Sequence, residues 1–211
     1  RFLPNLFSLR ALSTAGIDTG DLRAELDRQV LIGVQTLVSR QNPDGGWGFW
    51  PQQQSSPFIT AYVVWGLWNA QQMDYTVDTN ALTRATDYLN TQFEAPDAVS
   101  TETGDDWRLN EMAFVHYVLA QMGQGDPGRM STLYDVRERL EPYGRAFLAM
   151  ALHEVNPDDE RVQTLAGDLL GEAVLTAAGA FWQDRTLDLP LMSSDVRTTA
   201  IVLDALIHIT P

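Results

Sequence analysis

The chain has 211 residues, three histidines and no cysteine. Without a thiolate there is no cysteine nucleophile, no disulfide framework and no zinc–cysteine site within these residues. His116, His153 and His208 share no helix at i, i+4 spacing, which argues against a metal site built from them. Asp158, Asp159 and Glu160 cluster three carboxylates, but they follow Asn156-Pro157. That order reads as a cap, a proline and then acidic residues on the positive end of a helix dipole. Ser193-Ser194-Asp195 pairs hydroxyls with a carboxylate, yet no histidine lies in sequence reach and no Gly-x-Ser-x-Gly elbow surrounds it. Helix capping explains it better than nucleophilic catalysis. Asp105-Asp106 lacks the rest of an Asp-x-Asp-Asp acid motif and reads as a solvated loop. No glycine-rich phosphate loop is present.

The elements that position these residues are helices. Apolar spacing predicts helices over 2–13, 21–40, 57–72, 78–92, 107–122, 130–139, 142–155, 157–170 and 195–209, with residues 93–106 a long polar loop, residues 173–191 irregular and no convincing strand. In the second helix Leu22, Leu26, Val30, Val34, Leu37 and Val38 form the apolar stripe; in the fourth, Ala81, Leu82, Ala85, Tyr88 and Leu89 do. The centre of the pattern is Gln41-Asn42-Pro43-Asp44-Gly45-Gly46-Trp47-Gly48-Phe49-Trp50. Asn42 before Pro43 ends the preceding helix, Pro43-Asp44 suits the middle of a turn, and the glycines supply positive-φ positions. Trp47, Phe49 and Trp50 are expected to be buried. Ser56-Pro57 then reads as an N-cap and first helical residue.

Composition sets bounds on partners. A formal net charge of −14 leaves no basic footprint for nucleic acid or for an anionic membrane. No segment approaches the roughly 18–20 apolar residues of a membrane span, so direct membrane insertion by this segment is not expected. A length of 211 residues with 45% hydrophobic content fits one soluble globular domain. Arg1-Phe2-Leu3-Pro4 lacks the ordered regions of a signal peptide. It opens abruptly, as a piece cut from a larger multidomain protein and incomplete at both ends would, with apolar surface left exposed.

An internal repeat is visible. Thr60–Leu67, Met112–Leu119, Arg145–Leu152 and Thr199–Leu206 share an alanine and a leucine six positions later. Each copy is apolar nearly all round and alternates with amphipathic helices, so the copies are expected inside and their partners outside. Spacings of 52, 33 and 54 residues are too uneven for a regular solenoid. The expected fold is therefore all-α, an α/α toroid of about nine helices.

Gln41–Trp47 resembles the glutamine–tryptophan turn of α/α-toroid proteins: triterpene cyclases, some polysaccharide lyases and thioester domains. The continuation through Trp50 and Ser56-Pro57-Phe58-Ile59-Thr60-Ala61-Tyr62-Val63 is similar to the thioester domain of the α2-macroglobulin and complement superfamily, particularly its bacterial members. Arg1–Leu6 is similar to the segment immediately after the thioester motif in those proteins, and Met192–Ala200 resembles a late segment of the family.

The resemblance implies a non-enzymatic fragment of a bacterial endopeptidase inhibitor that traps attacking proteases. In such proteins a Cys-x-Glu-Gln thioester acylates a nucleophile on the protease. That motif would lie outside this chain, just before Arg1, or be lost. The implied location is periplasmic or extracellular, with a possible membrane anchor through the parent, and the implied partners are proteases and other domains of the same chain. Candidate thioester-pocket or structural motif residues are Gln41, Asp44, Gly45, Gly46, Trp47, Trp50, Thr60, Tyr62, Met192, Ser193, Ser194 and Asp195. The three loop aromatics line the pocket or plug one end of the toroid. No catalytic residue, cofactor or metal is expected. Because residues 93–106 contain no histidine, where some members carry one that accelerates transfer, direct aminolysis by lysine is expected.

The alternatives are an α/α-toroid enzyme, either a terpene cyclase or a polysaccharide lyase, and a plain interaction scaffold. A cyclase needs the acidic quartet. A lyase needs clustered Arg/Lys, Tyr and His, for which 14 Lys+Arg in all is a poor supply.

Overall fold

A computed structural model of the chain describes residues 2–17, 20–93, 99, 106–177, 179–186 and 191–210. They fall into two compact units, 1–92 and 93–211. In the first unit α1 (Phe2–Thr14), α2 (Asp21–Ser39), α3 (Pro57–Gln72) and α4 (Thr79–Thr91) follow in order. Ser56 caps α3 through the Ile59 N–H and Asp78 caps α4 through the Asn80 N–H. The α4 stripe is buried as its spacing requires, from Ala81 to Leu89. On α2 only Val30 and Val34 are fully buried, while Leu22, Leu31 and Ile32 are exposed; this helix covers its neighbours with a narrower face than its sequence offers. α1 crosses close to α3 because Gly66 has no side chain. A Cβ there would stand 2.9 Å from Phe2 and Leu3. Farther along, Phe7 packs on Trp65 with ring centroids 5.0 Å apart.

The second unit is built around α7 (Pro142–Val155), which packs on α5 (Trp107–Gln121), α6 (Pro127–Asp135), α8 (Glu160–Gly171) and α9 (Asp195–Ile209). Every residue of α7 from Pro142 to Leu152 is buried, and so is nearly all of α5. Both repeat copies on these helices are therefore inside, as expected. α9 differs: Thr198, Val202, Ala205 and Ile209 are buried, but Val196 is 83% and Ile207 71% exposed.

Three sequence expectations are corrected here. α6 begins at Pro127, not Met130, because Asp126 accepts from the Gly128 and Arg129 N–H groups, and a 3-10 turn (Arg137–Arg139) closes the segment. α8 is capped by Asp159 rather than Asn156: the Asn156 side chain accepts from the Asp158 N–H to form a turn, and the helix begins at Glu160. Within the segment read as irregular, β1 (Val174–Thr176) and β2 (Gly179–Phe181) make a short antiparallel hairpin with Val174 opposite Phe181. Three-residue strands are too short to show a period of two. Of the polar loop 93–106, residues 94–98 and 100–105 lie outside the described residues, as does Arg1.

Candidate functional site

The 41–60 segment is a knot of hydrogen bonds. The Gly45 N–H donates to the Asn42 carbonyl at 3.0 Å, closing the turn over Pro43-Asp44, and the Asn42 N–H donates to the Gly46 carbonyl at 2.9 Å. Asp44 Oδ1 accepts from the Gly46 N–H and from Ser55 Oγ at 3.0 and 2.8 Å. Gln41 Nε2 donates to the carbonyls of Gly45 and Ala81, both at 2.8 Å, and Gln41 Oε1 accepts from Arg84. The glutamine thus ties the turn to α4.

Trp47 is the centre of the knot at 3% exposure. Its indole N–H donates to the Leu37 carbonyl in the last turn of α2 at 2.8 Å. Its backbone N–H donates to Thr60 Oγ1 in the first turn of α3 at 2.9 Å, and that hydroxyl donates back to the Trp47 carbonyl at 3.4 Å. One residue therefore fastens the end of one helix to the start of the next.

The other loop aromatics do something else. Phe49 and Trp50 are 62% and 66% exposed and meet edge to face at 5.3 Å. The expectation that all three are buried holds for Trp47 alone. Gly48 to Gln53 makes a tight excursion, with Gln52 at φ 65°, that turns both rings outward. Tyr62, on α3, is also exposed and contacts Phe58 and Trp65 at 6.0 Å.

Gly45 is required in this arrangement. Its φ is 91°, and a Cβ would lie 2.3 Å from the Arg84 carbonyl oxygen. Gly45→Ala is expected to destabilise the protein by roughly 2–3 kcal/mol, because strain and overlap with backbone act together. A urea titration checks this, with Gly123→Ala, whose Cβ meets nothing within 4 Å, as the control for strain alone.

The second unit repeats the knot around a residue that the sequence pattern did not single out. Trp182, also 3% exposed, donates its indole N–H to the Leu169 carbonyl at 2.6 Å and its backbone N–H to Thr199 Oγ1 at 3.0 Å. Thr199 donates back to the Trp182 carbonyl at 3.2 Å. The signal was available: Thr60 and Thr199 occupy one position of the internal repeat.

Of the late candidates, Ser194 caps α9 through the Arg197 N–H at 3.3 Å. Asp195 Oδ2 accepts from Gln183 Nε2 at 3.2 Å, and Met192 is exposed at φ 54°. Ser193 is half-buried. Beside them Asp184 accepts from Thr198 Oγ1 at 2.7 Å, while its Oδ2 is buried without a partner. Burial, opposed by that hydrogen bond, holds the Asp184 carboxyl above the usual range.

Gln41, Asp44, Gly45, Gly46, Trp47 and Thr60 are thus brought together, and their polar groups serve the fold. Met192 to Asp195 form a separate group at the start of α9. Both groups make turn ties and helix caps. Asp106, from the acidic pair, is bonded to Arg139 at 2.6 Å instead of lying free in a loop. His153 and His208 meet with ring centroids 5.3 Å apart, but among the described residues no three metal-ligating side chains converge. No described helix is long and apolar enough to cross a membrane.

Comparison with known proteins agrees with this scaffold. The family model described as the A-macroglobulin TED domain matches residues 1–101. Alpha-2-macroglobulin of Escherichia coli K12 is 27% identical over 137 residues, 63% of this chain and 8% of the relative. That of Thermotoga maritima is 31% identical over 114 residues, 54% of this chain and 7% of the relative. The chain therefore spans less than a tenth of the length of these curated relatives. The structure of Salmonella alpha-2-macroglobulin reacted with methylamine superposes with a TM-score of 0.75 at 22% identity, over 97% of this chain and 13% of that one.

Proposed function

We propose that the chain, whose residues 1–101 match the family model described as the A-macroglobulin TED domain, is part of the thioester domain of a bacterial alpha-2-macroglobulin-like protein that traps proteases. The observation that carries the reading is the family match over the first 101 residues, continued by one fold over 97% of the chain. In this reading the two units count as one α/α-toroid domain of a longer protein. That protein works in the periplasm or outside the cell, and its partners are the attacking protease and its own other domains. The role is to hold and present an acyl donor rather than to turn over a substrate.

The donor in this reading is a Cys-x-Glu-Gln thioester ahead of Arg1, the alternative being a parent that has lost the motif and holds proteases by conformational capture. α1 crosses α3 with Leu3 against Gly66, Phe7 on Trp65 and Arg10 bonded to Asn69. In this reading the exposed rings of Tyr62, Phe49 and Trp50 supply apolar surface to keep water from the thioester, whose thiolate is a good leaving group. Trp47, Gln41 and Asp44 hold the turn between α2 and α3 rigid.

Transfer is expected to go directly to amines. His116, His153 and His208 all sit in the C-terminal halves of α5, α7 and α9, away from helix starts. Intact mass of the full-length parent is therefore expected to rise by one methylamine adduct, and methylamine is expected to react far faster than glycerol. Failure to form any adduct, together with no Cys-x-Glu-Gln upstream of Arg1, overturns the thioester. Equal reactivity with glycerol overturns direct aminolysis alone.

A further inference from the structure

We propose that Phe93 is held by an acid-labile stack, Arg129–Phe93–His116, that opens the start of the second unit when His116 takes up a proton. Phe93 directly follows Gln92, the C-cap of α4, and is the first residue of that unit. Its ring lies on the His116 imidazole with centroids 4.4 Å apart and planes at 21°. The Arg129 guanidinium of α6 stands 4.6 Å from the Phe93 centroid. Phe93 is thus fixed by one partner from α5 and one from α6.

His116 is 3% exposed. Burial, followed by the charge of Arg129 and opposed by Asp126, pushes its imidazole down to about 4. Those two residues at the start of α6, themselves paired at 3.5 Å, are the charges acting on it. α7 turns apolar residues toward α5, and its buried charge, Arg145, is paired with Glu172 at 2.9 Å. Arg108 and Glu111 lie toward the other end of α5. At neutral pH the stack therefore holds one cation, one aromatic ring and one neutral imidazole, an arrangement that a guanidinium over a ring face stabilises.

A proton from solvent places a second cation on the buried His116 ring, in the same stack as the partly exposed Arg129. Once Phe93 is released, the imidazole regains water and an ordinary affinity near 6.5. The open form therefore takes the proton in preference, by a factor on the order of 10²–10³. The folded value lies below the ordinary one, so the stabilisation is complete above about pH 6.5 and is lost as pH falls toward 4.

The test is amide hydrogen exchange and imidazole NMR on the 211-residue chain from pH 7.5 to 4. Exchange at Phe93 and the start of α6 is expected to rise at least tenfold beyond the intrinsic pH effect, in step with His116 titration, while α1 to α3 stay protected. His116→Gln is expected to remove the step. Persistence of the step in H116Q overturns the proposal, as does simultaneous loss of protection everywhere, which is ordinary acid unfolding. If H116Q does not fold, the wild-type titration decides: His116 titrating without any change at Phe93 overturns it equally.

Discussion

Trp47→Ala is expected to lower stability by about 3–5 kcal/mol, while Trp50→Ala changes it by no more than about 0.5 kcal/mol. The two tryptophans are three residues apart in sequence and opposite in environment, at 3% and 66% exposure. Removing the Trp47 indole opens a cavity between α2 and α3 and leaves the Leu37 carbonyl without its donor. Trp47→Phe separates the two contributions, since it keeps most of the apolar area and loses only the 2.8 Å bond, at about 1–2 kcal/mol. Urea denaturation gives all three values. Similar losses for Trp47→Ala and Trp50→Ala would refute the assignment of Trp47 alone as the anchor. Trp182→Ala is expected to match Trp47→Ala, because its two helix bonds are the same. The loss should appear in the amide exchange of α8 and α9.

Glu141→Ala is expected to cost roughly 2–3 kcal/mol. Glu141 is buried ahead of α7, where Oε2 accepts from the Arg185 N–H at 2.7 Å. Oε1 accepts from the Thr186 N–H and Oγ1 at 3.2 and 2.8 Å. Truncation strands these donors together. The Arg185 side chain, at 3.5 Å, is about half exposed, so the charge pair itself adds little. Glu141→Gln keeps the shape but turns an amide N–H₂ toward donors, and should recover only part of the loss. Full stability in Glu141→Gln would mean that packing, not the carboxylate, holds residues 185–186. The expected local reading is faster exchange at Arg185 and Thr186 with α1 to α4 unchanged.

Much of the architecture could be read from apolar spacing alone. The α4 stripe is the clearest case: Ala81, Leu82, Ala85, Tyr88 and Leu89 recur at helical period, and all are buried. The turn at Pro43-Asp44 and the Ser56 and Ser194 caps were equally legible, because short-range stereochemistry decides them. Phe49 and Trp50 were not, since apolarity says that a ring gains from burial but not whether the backbone turns it inward. The α8 cap was missed because Asn156 and Asp159 both suit the role, and the turn between them selects the second. Trp182 was hidden by loop length. It lies twelve positions before its cap Ser194, against nine from Trp47 to Ser56, so the two knots do not align by eye.

The paired knots also bear on how the chain reaches its native state. Trp47 reaches back ten residues to Leu37 and forward thirteen to Thr60; Trp182 reaches back thirteen and forward seventeen. Closing loops of this length carries a modest entropy cost that grows only logarithmically with length, and a ten-residue loop closes in about 10–100 ns. Each unit thus contains one set of short-range contacts of low contact order, of the kind expected to form early. A nascent chain can lock α2 to α3 around Trp47 once Thr60 and the rest of α3 are clear of the ribosome, before most of the second unit has been synthesised.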